Sequence, residues 1–228
     1  MTEITKNNLD FLKKLSKNNN RDWFQKNKDW YTESQKNMIA FSDKVLADLN
    51  KIDELETETG KKALYRIYRD VRFSKDKSPY KVHWGMIYKR LGAERRGSYY
   101  IHIKPGEMMI GGGFYKPEPK DLKLIRAQIA QEPKRFRKIL GSKKFKETFV
   151  ELQGEQVKTA PKGYDKDHPA IDLLKFKSLY VFKNFTDKEA LAKDFHKEVN
   201  KCFKTIRPYF DYMTEILTHD LNGESLLK

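Results

Sequence analysis

The chain has 228 residues, 38% of them hydrophobic and 13% aromatic, which is enough to bury a core and too aromatic for a disordered chain. Its one cysteine, Cys202, excludes an internal disulfide and argues against a thiolate metal site. The net charge of +15 is unevenly placed: residues 61–117 carry 14 basic and 4 acidic side chains, residues 1–60 carry 10 and 11, and such a concentrated excess points to an anion-facing surface.

No apolar run approaches the roughly 18 residues that a membrane span needs. The first 15 residues, MTEITKNNLDFLKKL, are too polar for a signal peptide's apolar core. The expectation is therefore a soluble protein of a reducing cytoplasm, with no membrane partner.

In chain order, Leu9, Phe11, Leu12 and Leu15 predict a short helix capped by Thr5 or Asn7. Asn20 is placed to cap a second helix. Trp23, Asn27, Trp30, Ser34, Met38, Phe41, Val45 and Leu49 then recur every three or four residues, the signature of one long amphipathic helix to about Asn50. Beyond an acidic connection, ALYRIYRDVRF, HWGMIYKRL, SYYIHIKP and EMMIGGGFY read as four consecutive strands in an antiparallel meander. Pro117 and Pro119 open a helix from about Glu118 to Gln131, and Pro133 opens another that ends at Gly141. SLYVFKNF reads as a last strand. Leu191, Phe195, Val199, Phe203 and Ile206 mark a long helix that Pro208 should kink or end.

The expected fold class is α+β: a mainly antiparallel sheet of about five strands, packed against and flanked by helices. The whole chain, 1–228, is expected to form a single domain. It comprises an N-terminal helical pair (1–60), a strand-rich basic core (61–117) and a mostly helical remainder (118–228).

RIYRDVRFSKDKSPYK, residues 66–81, holds three arginines, three lysines, two aspartates and two tyrosines. The pattern R-x-x-R-D-x-R-F-x-x-D-K-S-P-Y-K resembles the signature of a widespread family of uncharacterised conserved proteins, a domain of unknown function. NNNRDWF at 18–24, GGGFYKPEP at 111–119 and PKGYDKDHP at 161–169 resemble the same family. The resemblance spans nearly the whole chain. It implies a compact bacterial-type protein and brings no activity, cofactor or catalytic residue with it.

Read as a strand, 66–73 puts Arg66, Tyr68, Asp70 and Arg72 on one face and Ile67, Arg69, Val71 and Phe73 on the other. The second set is the core face. Arg69, embedded in it, requires a carboxylate from another element and is the candidate structural brace. Arg66 and Arg72, with Lys77, Tyr80 and Lys81 in the following loop, are the candidate anion-binding set, because guanidinium forks match phosphate and carboxylate oxygens.

Asp70 and His168 are the candidate acid–base pair of an enzyme, on condition that the fold brings them together. Otherwise Asp167 or His168 simply caps a helix opened by Pro169. The triple glycine at 111–113 matches no phosphate-binding fingerprint and reads as a bulge or a close backbone approach. The five histidines show no metal-ligand spacing, so neither a metal nor a cofactor is expected. The leading functional expectation is binding of a phosphorylated or polyanionic ligand, with a phosphorylated small molecule and nucleic acid ranked level. The alternatives are an enzyme on a phosphate-bearing substrate and a structural domain whose motif only braces its own fold.

Overall fold

The computed structural model describes residues 2–227. Helix α1 (Lys6–Lys17) starts at Thr5, whose backbone N–H and hydroxyl both donate to the Asn8 side chain at 2.8 Å. Its four apolar positions are all buried. Asn20 caps α2 (Arg21–Lys26) by accepting from the Trp23 N–H. The expected continuous helix from Asn20 to Asn50 is interrupted at Asn27. The Asn27 side chain donates back to the Trp23 carbonyl, a local bond that competes with the helical ladder. Helix α3 (Lys28–Leu49) restarts there and buries Ser34, Met38, Phe41, Val45 and Leu49, the face that the spacing predicts.

A one-turn helix, α4 (Gly60–Ala63), precedes the 63–73 run, which is not the expected strand. Leu64 bridges Met86, and then the chain leaves the sheet and pairs with its own return. Tyr68 bridges Tyr80, the Arg69 N–H donates to the Pro79 carbonyl at 2.9 Å, and the Lys81 N–H donates to Ile67 at 2.7 Å. Residues 66–81 therefore form a hairpin arm. The reason is charge: a sheet position for this run would bury Arg69 against apolar neighbours, whereas the arm supplies Arg69 with a carboxylate of its own.

The sheet has four strands, not about five. β1 (Trp84–Lys89), β2 (Ser98–Lys104), β3 (Glu107–Phe114) and β4 (Leu179–Phe185) lie in the antiparallel order β1-β2-β3-β4. Alternation along the strands puts Trp84, Met86, Tyr99, Ile101, Met108 and Ile110 on the buried face. Between β3 and β4 lie α5 (Pro119–Gln131), α6 (Pro133–Leu140), α7 (Lys143–Phe149) and α8 (Ile171–Leu174). After β4 come α9 (Asp187–Ala190) and α10 (Phe195–Thr218). Helix α10 does not end at Pro208. Phe203, Ile206, Tyr209, Phe210 and Met213 on either side of it are all fully buried, and that packing outweighs one missing N–H.

Backbone proximity divides the chain into two compact units. The first takes the chain up to Tyr88, Tyr100–Ile110 and Asn184–Lys201. Its core stacks Phe11 against Trp84 and Phe41 against Phe195. The second takes Lys89–Tyr99, Gly111–Lys183 and the chain from Cys202 onward. Its core groups Tyr99, Phe203 and Phe210, with Phe136 stacked on Tyr212. Arg90, whose side chain is only 1% exposed, is braced in this unit by Asp211 at 2.8 Å, the Thr214 hydroxyl and the Arg96 carbonyl. Among the described residues, no helix is long and apolar enough to cross a membrane.

Candidate functional site

The arm 66–81 belongs to the first unit, and most of its charged groups are engaged within it. Arg69 donates to Asp76 at 2.5 Å and to the Ser78 carbonyl at 3.0 Å. Its carboxylate partner is thus seven residues along the same arm and not on another element. Asp76 also accepts from the hydroxyl and the backbone N–H of Ser78, and these bonds, with Arg69 behind them, hold its carboxyl down to about 2. Arg72 grips Asp70 with a fork, Nη2 at 2.7 Å and Nε at 3.0 Å, which keeps Asp70 below the usual carboxylate range. Lys77 donates to the Val71 carbonyl at 3.0 Å, and Lys81 donates to the carbonyls of Arg66 at 2.6 Å and Tyr68 at 3.2 Å.

Tyr80 is buried, with its ring stacked on Phe24 at 3.9 Å. Asn19 binds its backbone from both sides, accepting from the N–H and donating to the carbonyl. The 18–24 segment therefore docks onto the arm, joining two of the stretches that carry the sequence resemblance. Phe73, assigned by alternation to the core face, is instead 97% exposed, because the chain turns at Arg72 and Phe73 and the alternation of a strand ends there.

His168 lies in the second unit, where its Nδ1 accepts from the Ala170 N–H at 3.1 Å. Asp70 and His168 thus fall in different units, each engaged by its own neighbours. The triple glycine in β3 marks a close backbone approach: a Cβ on Gly111 would lie 1.8 Å from the Val181 carbonyl oxygen.

At the root of the arm the first unit gathers residues that the sequence did not single out. His83 stacks on His102 with ring centroids 4.4 Å apart. Tyr100 and His102 share the β2 face opposite Ile101 and Ile103, and the Tyr100 hydroxyl lies 3.4 Å from His102 Nδ1. Gly85 makes room for these rings, since a Cβ there would lie 2.9 Å from the Tyr65 ring and 3.1 Å from the Tyr100 hydroxyl. His102 Nε2 is buried without a hydrogen-bond partner, and Glu107 stands 3.7 Å away, bound at 2.5 Å by Lys104.

The electrostatics of this cluster are coherent. Burial, His102, Lys81 and Lys104 together push His83 down to about 4, and burial pushes His102 down as well. Both imidazoles are neutral at pH 7. Burial pushes the Tyr100 hydroxyl up to about 12, with Tyr65 adding to it. Lys81 is lowered by burial first and then by the nearby Arg66 and Arg69. Among the described residues neither Arg66 nor Lys81 makes an ion pair with a carboxylate; Arg66 acts on Asp70 only through space, and Arg66 and Lys81 repel each other. A cleft of about 410 Å³ opens beside Lys104, lined also by Lys13, Ser16, Val82 and Gly106. No group of three or more His, Cys, Asp or Glu among the described residues could hold a metal ion.

Histidines at 83 and 102 and tyrosines at 65 and 100 are far apart in sequence in every respect but the return of the strands. The one local signal is alternation, which puts Tyr100, His102 and Lys104 on a single strand face.

A family model described as conserved hypothetical protein (DUF2461) matches residues 7–212. No curated protein and no solved structure shows a match.

Proposed function

The chain belongs to this family of conserved hypothetical proteins, and from that premise we propose that it binds a phosphorylated or polyanionic ligand at the root of the arm. The carrying observation is that Lys81, not ion-paired with a carboxylate, is crowded by Arg66 on one side and lies close enough to His83, stacked on His102, to push its imidazole down on the other. An arriving phosphate would relieve that repulsion. It would receive a planar fork from Arg66, an ammonium from Lys81 and hydrogen bonds from neutral imidazoles and the protonated Tyr100. Acid–base chemistry on such a ligand would fall to the His83–His102 pair, which already lies in contact and whose neutral imidazoles would accept a proton from the ligand.

Calorimetric titration with inorganic pyrophosphate tests this reading. Arg66→Ala and Lys81→Ala are each expected to weaken binding about tenfold, the scale of one charge-assisted contact. Thermal stability should change little for Arg66→Ala. Unchanged pyrophosphate affinity in both variants overturns the proposal.

A second reading is favoured by the bonds inside the arm. Arg69 on Asp76, Arg72 on Asp70, and Lys77 on backbone carbonyls are what a brace looks like. Under that reading Arg66→Ala and Arg72→Ala both destabilise the protein and neither alters anion affinity.

A further inference from the structure

We infer that the exposed edge of the arm is a stacking platform for single-stranded nucleic acid, an inference that rests on the anion-binding reading above and names its polyanion. Phe73 is 97% exposed, yet the arm that carries it is tied together. Arg69 holds Asp76 across its base, Lys77 holds the Val71 carbonyl, the Arg72–Asp70 fork lies immediately before it, and the Ser74 N–H donates to Val71 at 3.3 Å. A phenyl ring held out in water on a braced turn adds nothing to the core. Its face is available for a planar apolar partner at low ordering cost.

The ring does not stand alone. Tyr65, at the root of the arm, and Tyr68, on its outgoing half, are also exposed, at 40% and 44%. Each of the three aromatic rings has a cation near it: the Lys81 ammonium is 5.9 Å from the Tyr65 ring centre, that of Lys28 on α3, which lies closer still over Phe24 and Tyr31, is 6.0 Å from Tyr68, and the Arg72 guanidinium, forked on Asp70, is 5.9 Å from Phe73. An aromatic face for a base and a cation for its phosphate, repeated along one segment, is the chemistry of single-strand recognition. The repetition is what selects the ligand class. A phosphorylated small molecule uses one such pair. A duplex keeps its base faces stacked inside and offers none to Phe73. An anionic membrane would take Phe73 but gives no role to a row of tyrosine–cation pairs.

The test is fluorescence anisotropy with the full chain and three probes at one salt concentration. These are a single-stranded oligothymidylate of about 12 nucleotides, a strand of the same length and charge with abasic sites throughout, and heparin, a polyanion without bases. Phe73→Ala is expected to weaken oligothymidylate binding roughly tenfold, and Phe73→Trp to restore it. Binding to the abasic strand and to heparin should be the same in all three proteins, and the melting temperature should be unchanged because the ring is solvent-exposed. If Phe73→Ala leaves oligothymidylate binding unchanged, or weakens heparin binding equally, the inference falls while the anion site stands. If phosphatidylserine vesicles bind in a Phe73-dependent manner and oligothymidylate does not, the platform is a membrane contact and the inference falls. If wild-type protein binds none of the three probes, the inference falls, and if it also fails to bind pyrophosphate the anion-binding reading falls with it.

Discussion

His83 carries the sharpest pH signature among the site residues. Its imidazole titrates at about 4 in the folded chain and near 6.5 when unfolded. Between those values the unfolded chain takes up a proton that the folded chain refuses. The stabilising contribution is therefore complete above about pH 6.5 and is lost as pH falls through that window, by at most about 3 kcal/mol in total once solvent screening of the partly exposed ring is allowed for. Chemical denaturation of wild type and His83→Gln between pH 7 and 4.5 checks this: the variant should show a flatter dependence. An identical slope would mean that His83 is solvated and not buried against His102. Within the arm, sequence logic required a carboxylate for Arg69 and the structure supplies Asp76. What pattern could not supply was the address of that carboxylate, because a loop closes according to its own bonds and not by strand alternation. Phe73 makes the same point from the other side, since the turn at Arg72–Phe73 cancels the alternation that would have buried it.

At the scale of elements, the most exacting contact lies where β3 meets β4. A Cβ at Gly111 would lie 1.8 Å from the Val181 carbonyl oxygen, which is backbone and cannot swing aside. Gly111→Ala is expected to cost about 3 kcal/mol or more, or to prevent folding, as an overpacked core does. Gly92 is the internal control. It sits at φ +61° with no heavy atom within 4 Å of a built Cβ, so Gly92→Ala should cost only about 1 kcal/mol, the backbone strain alone. Urea denaturation of the two variants separates close approach from backbone conformation, and equal losses would contradict the contrast. The helices were legible because apolar spacing is local: α1 and α3 bury the positions that recur at three and four. The break at Asn27 was not legible, because it depends on one side chain choosing the Trp23 carbonyl over solvent. The persistence of α10 through Pro208 was hidden for the opposite reason, since five buried side chains from the surrounding turns hold it in place.

At the scale of the whole molecule, charge decides how any anion is met. The net +15 gives every polyanion a general attraction, and only the dependence on particular residues separates a site from that background. Polyphosphate binding should fall linearly with salt on logarithmic axes, and Arg66→Ala and Lys81→Ala should each reduce the slope by about one. A slope that is unchanged in both variants would place the binding elsewhere on the basic surface. The sequence by itself determined the α+β class, the antiparallel meander, most helices and the segment in which basic charge concentrates, because each follows from composition or from short-range periodicity. Only the tertiary structure decided that the 63–73 run is half of a hairpin arm and not a fifth strand. It alone brought His83, Tyr65 and Gly85 to Tyr100 and His102. The physical reason is that burial and ion pairing are settled by partners distant in sequence: a strand gives up its place when its arginine is better satisfied within its own loop, and two histidines become neutral and stacked only once neighbouring segments close over them.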